Sequence, residues 1–117
     1  MCQKLLALIF VICSFNAYSI ECTAHHRHVD EDGQLVQSQT KLTTTLEIGD
    51  ILNLECELNG QLYFLDFNKA DDDGLLQIVD ASDYTKGIVS RSSFNKRGVM
   101  SLTLVDNQTV HRLECTR

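Results

Sequence analysis

His25, His26 and His28 crowd together near the start of the chain, and His111 stands alone near its end. Imidazole nitrogens are common ligands for zinc and copper, and two ligands of one ion must project from the same side of their element. On an extended strand side chains alternate, so His26 and His28 share a side and His25 takes the other. Cys22 falls on the side of His26, and Asp30, Glu31 and Asp32 follow, yet no spacing names a third or fourth ligand. Metal capture through His26 and His28 is one expectation; a polar, largely exposed first strand is the plainer one. A cut after Ala24 would leave His25 as the amino terminus, where amine and ring together hold copper.

Other chemistries fail on spacing. Asp71-Asp72-Asp73-Gly74 invites a calcium loop, but setting Gly74 at the sixth loop position puts Lys69 at the first, where a carboxylate is required. Ser82, Ser90, Ser92, Ser93 and Ser101 all lie outside any Gly-x-Ser-x-Gly elbow, and His111 has no sequence cue linking it to one of them. Cys56 sits mid-strand among Leu54, Leu58 and Tyr63, where packing is favoured over a low thiol pKa. The chain is therefore expected to be no enzyme and to need no cofactor.

The elements that position these residues start from residues 46–67, LEIGDILNLECELNGQLYFLDF. Two alternating runs meet at Asn59-Gly60, and both turn residues accept the positive φ of a type I′ hairpin turn. A two-residue loop pairs Leu58 with Gln61, Cys56 with Tyr63, Leu54 with Leu65 and Leu52 with Phe67. The last three pairs share one face, so turn chemistry and hydrophobic pattern choose the same register. Leu62 and Phe64 then point away from that face. A second layer of the fold covers them, or a partner protein does.

Around the hairpin, residues 21–29, 35–42 and 43–48 are expected to be strands, the second polar enough for an edge. Residues 68–74 are a loop, 75–80 a strand and 81–87 a connection. Strands over 87–94, 99–105 and 109–115 follow. A two-residue turn at Asp106-Asn107 pairs Met100 with Leu113. Seven to nine short strands, with turn signals every eight to twelve residues and no helical period, predict an all-β fold, a small antiparallel sandwich or barrel. Around the turn after residue 94, Arg91, Phe94, Lys96 and Arg97 make a basic patch with one aromatic ring, a second candidate for a partner: an anionic glycan or an acidic protein face.

Residues 1–19 have the form of a secretory signal: Lys4, an apolar run over 5–13, and Ala17 and Ser19 at the −3 and −1 positions of a cut before Ile20. The run is far short of the roughly 20 residues a membrane helix needs, so no membrane span is expected. Residues 20–117 form a single domain, secreted or periplasmic. Its nine basic residues against sixteen acidic ones give a net −7, which disfavours nucleic acid as a partner. From Asp30 to Asp83 acids dominate, and from Tyr84 to Leu113 bases do. Either the two halves neutralise each other as neighbours or they set up a steering field.

Loss of the leader removes Cys2 and Cys13 and leaves Cys22, Cys56 and Cys115 for an oxidising compartment. Closing Cys22–Cys115 instead of Cys56–Cys115 gains only about 0.4 kcal/mol of chain entropy. Cys56 suits a core strand, and the other two lie near ends that often meet, which favours Cys22–Cys115 with Cys56–Cys115 as the alternative. Asn107-Gln108-Thr109 matches the N-glycosylation pattern. The expected function is that of a small, non-catalytic exported β-domain. It binds another protein or a cell-envelope component, inhibition of a basic secreted enzyme being one form. Metal binding by the histidines and a purely structural envelope role are the alternatives.

Overall fold

A computed structural model describes residues 19–117. The expected signal peptide, apart from Ser19, lies outside the described residues. The described chain folds into nine strands: β1 (Glu21–Val29), β2 (Leu35–Lys41), β3 (Thr43–Ile48), β4 (Ile51–Leu58), β5 (Gln61–Asn68), β6 (Asp73–Asp80), β7 (Asp83–Ser92), β8 (Val99–Asp106) and β9 (Thr109–Thr116). They form a four-stranded sheet in the order β2-β1-β9-β8 and a five-stranded sheet in the order β3-β4-β5-β6-β7. All pairings are antiparallel. The expected all-β, sandwich-like fold is what the chain adopts.

Each strand pairs with its successor except at two crossings between sheets, and β9 returns to pair with β1. At the β2–β3 crossing the sheet changes over a single residue, Leu42, which is buried and donates its N–H to the Cys22 carbonyl at 2.9 Å. At the β7–β8 crossing the Asn95 side chain holds the turn, its Oδ1 accepting the N–H groups of Arg97 and Val99 at 2.9 and 3.0 Å. Short-range chemistry thus fixes both corners of a meander rolled into two layers.

The central hairpin has the expected register, with Leu58 opposite Gln61, Cys56 opposite Tyr63, Leu54 opposite Leu65 and Leu52 opposite Phe67. Asn59 and Gly60 carry φ values of 50° and 78°, the left-handed pair that a type I′ turn demands. Several other boundaries differ from expectation: Asn68 still belongs to β5, β6 begins at Asp73 and not at 75, and β7 ends at Ser92 and not at 94. The last turn is Asn107-Gln108, so Met100 faces Cys115 and Leu102 faces Leu113. Asn107, with φ 55°, is the first residue of that turn and takes a left-handed conformation.

Residues 81–87 are not a connection. β7 begins at Asp83, after a turn in which Asp80 Oδ1 accepts from both the N–H and the hydroxyl of Ser82. The pairing then jumps from Asp80↔Asp83 to Val79↔Gly87, leaving three extra residues bulged on β7. Gly87 permits the close return, because a Cβ there would lie 2.4 Å from the Ile78 carbonyl oxygen and 2.6 Å from Val79 Cγ1.

The inner faces of the two sheets make one core, with Leu52, Leu54, Tyr63, Leu65, Phe67, Leu76 and Ile78 from one and Ala24, Met100 and Leu113 from the other. Cys22 and Cys115 face each other on β1 and β9 and form the expected disulfide, with an S–S distance of 2.02 Å. Cys56 is a free thiol, half-buried against the core. Alternation along β1, β4, β5, β6, β8 and β9 places these side chains on the inner faces.

Candidate functional site

The outer face of the five-stranded sheet is set by the same alternation. Tyr63, Leu65 and Phe67 turn inward and are fully buried, so Leu62 and Phe64 turn outward, where they are half-buried among their in-sheet neighbours. Leu62 stands between Glu57 and Val79, and Phe64 between Glu55 and Gln77. Beyond them on β7 lie Val89, 56% exposed, and Arg91. Among the described elements only the four-stranded sheet packs on this one, and it covers the opposite face. An apolar stripe of Leu62, Phe64, Leu75 and Val89 is therefore left without a second layer, fringed by Glu55, Glu57, Asp66 and Asp73, whereas Val79 beside Leu62 is buried where β7 returns closely at Gly87.

Charge follows the sheets. The strands of the five-stranded sheet carry Glu47, Glu55, Glu57, Asp66, Asp73, Asp80 and Asp83 against Lys86 and Arg91, whereas those of the other sheet balance Glu21, Asp106 and Glu114 against Arg27, Lys41 and Arg112. The basic stretch neutralises the acidic one in part, through Arg91–Asp73 at 3.2 Å, and Arg117 beyond it adds a pair with Asp72 at 2.8 Å. The remaining excess of carboxylates belongs to one layer.

The basic patch expected around Arg91, Phe94, Lys96 and Arg97 does not form as one surface. Phe94 is 7% exposed and packs edge-on against Phe67 with ring centroids 5.4 Å apart, and the Arg117 guanidinium sits 4.7 Å above its ring. Arg91 is engaged with Asp73, and only Lys96 and Arg97 remain on the exposed turn. An apolar side chain at a sandwich corner is worth more in the core than in water, and that draws Phe94 inward.

The histidines come together more closely than their spacing indicated. His26 lies directly across from His111 on β9, with ring centroids 5.2 Å apart. His26 Nε2 is 2.9 Å from His28 Nδ1, a hydrogen bond in which one ring carries the shared proton. Tyr63 reaches from the other sheet, its hydroxyl 3.5 Å from His111 Nδ1 and 3.4 Å from the His25 carbonyl. His26 and His111 are 8% and 6% exposed, and the buried His26 Nδ1 has no hydrogen-bond partner.

Burial, and then the neighbouring His28, lowers the pKa of His26; burial, and then His26, lowers that of His111, with Asp106 pulling weakly the other way. Among the described residues no group of three His, Cys, Asp or Glu side chains converges in metal-ligating geometry. The cluster is, as it stands, a group of neighbouring imidazoles joined by the His26–His28 hydrogen bond.

The outer face of the four-stranded sheet is not marked by any one stretch of sequence. There His25 and Arg27 project from β1 beside Arg112 from β9. The alternation of β1 carried half of that signal, and the pairing with β9, which spacing alone does not supply, carried the rest. Family models, curated proteins and solved structures offer no match to this chain.

Proposed function

We propose that this protein is a non-catalytic exported binding domain, and that the outer face of its five-stranded sheet receives a basic protein partner. The observation that carries the reading is the uncovered apolar stripe through Leu62 and Phe64 within the acidic layer. Apolar side chains fringed by carboxylates supply contact area at the centre and charge matching at the rim, the arrangement expected of a surface for a cationic protein. Inhibition of a basic secreted enzyme is one form such binding takes.

Capture of extracellular proteins on immobilised wild type, Phe64→Ser and Glu55→Lys, at low and high salt, tests it. Basic proteins held by the wild type are released by Phe64→Ser, and their capture weakens with salt and with Glu55→Lys. The same proteins held equally by all three variants would sink the proposal.

A second reading, metal capture, is favoured by one observation: the fold brings His111 beside His26 and His28. Binding here requires the proton between His26 and His28 to be displaced and the rings to reorient. Zinc or copper titration read by native mass spectrometry gives a 1:1 adduct on this reading. Absence of an adduct at micromolar metal removes it.

A further inference from the structure

The outer face of the four-stranded sheet carries a groove of about 690 Å³ that crosses all four of its strands. Register places two rows of side chains on its floor: Gln39, His25, Arg112 and Thr103 in one, and Gln37, Arg27, Val110 and Val105 in the next. Arg27 and Arg112 are diagonal cross-strand neighbours, close enough for both heads to reach one ligand. The carboxylate among the lining residues is Glu114, held by Arg112 at 3.1 Å. In a chain with sixteen acidic residues, Arg27 nevertheless has no hydrogen bond or ion pair among the described residues.

Guanidinium groups pair with carboxylate, sulfate or phosphate oxygens in a bidentate fork, and an arginine left unpaired beside a second arginine favours an anion between them. The rest of the floor adds a different chemistry. Gln37, Gln39 and Thr103 each donate and accept, and Glu114 accepts, a set that matches hydroxyl groups. Three interstrand spacings give the groove a length of about 14 Å, more than a lone inorganic anion fills. No Phe, Tyr or Trp lines it, so the stacking platform that a neutral sugar would use is missing.

We infer that this groove binds an acidic oligosaccharide, its anionic groups held by Arg27 and Arg112 and its hydroxyls by the flanking amides and Thr103. The site lies on the sheet face opposite the one assigned to a protein partner, and neither depends on the other.

Isothermal titration of the protein with an oligogalacturonate, a sulfated heparin oligosaccharide, a neutral maltooligosaccharide and inorganic sulfate tests the assignment. At least one of the two acidic sugars binds, and which one identifies the anionic group. Arg27→Gln and Arg112→Gln each weaken that binding by about ten- to a hundredfold, whereas Lys96→Gln on the exposed turn leaves it unchanged. Unaltered thermal unfolding of Arg27→Gln keeps the loss from being a folding defect, because the side chain is exposed. The inference is overturned if neither acidic sugar binds at millimolar concentration, if inorganic sulfate or the neutral sugar binds as tightly, or if Arg27→Gln has no effect.

Discussion

His26 shows how one position can be both well packed and poorly satisfied. Its ring is buried beside His111, it shares a proton with His28, and its Nδ1 has no partner. Such a ring is tolerated while neutral and penalised when charged, because desolvation and the adjacent imidazoles both oppose a second positive charge. The pKa values of His26 and His111 are lowered from the ordinary 6.5, so the unfolded chain binds protons more readily than the folded one. The stability tied to these rings is complete above that ordinary value and is lost as pH falls below it. We expect urea midpoints to drop between about pH 7 and pH 5, and His111→Gln to flatten the drop. An unchanged slope in that variant would place the titration elsewhere.

Cys56 is the corresponding case for a thiol. Burial pushes its pKa up to about 11 from 9.0, which leaves roughly a hundredfold less thiolate than an ordinary cysteine has. Alkylation followed by mass should show slow labelling of one thiol in the folded protein and rapid labelling after unfolding in urea. Rapid labelling of the folded protein would mean that this side chain is not packed as described.

Among the elements, the β4–β5 hairpin was legible because two signals of different origin, the Asn59-Gly60 turn and the alternation of Leu52, Leu54 and Leu65, demand one register. The end of β8 was less legible. Asp106 and Asn107 both suit turns, and moving the turn by one residue keeps the same side chains on the same face, so the hydrophobic pattern could not arbitrate. The start of β7 was hidden for another reason: its bulge breaks the alternation on which strand recognition depends.

That bulge gives a sharp prediction, because Gly87 is needed for space and Gly60 for conformation. Gly87→Ala should cost about 2–4 kcal/mol by forcing β7 off Ile78, and Gly60→Ala about 1–2 kcal/mol through its left-handed φ. Urea unfolding measures both, and a smaller loss for Gly87→Ala than for Gly60→Ala would contradict the described approach of β7 to β6.

At the scale of the whole molecule, the disulfide joins the first and last strands and so closes the meander. Cys22→Ser/Cys115→Ser should lose about 2–5 kcal/mol of stability, read as a lower urea midpoint. A midpoint equal to that of the wild type would argue that β1–β9 pairing alone closes the fold.

The candidate sites were only partly legible. Leu62 and Phe64 were marked out by β5 carrying apolar residues on both faces, a one-strand property. Phe94 was misplaced because a sequence does not show that Arg117 and Phe67 close around it. The convergence of His111 on His26, and of Arg112 on Arg27, depends on β9 returning to β1 across the length of the chain.

The two faces of the sandwich differ in kind: an acidic, apolar layer on one side and an arginine-bearing groove on the other. The first of these is the face proposed to receive a basic protein. An NMR titration of the isotopically labelled protein with a captured basic protein tests it most directly. Amide shifts are expected over residues 62–66 and 75–79, with those of residues 23–27 unmoved. Shifts confined to β1 and β9, with the outer face of β5 and β6 unmoved, would contradict it.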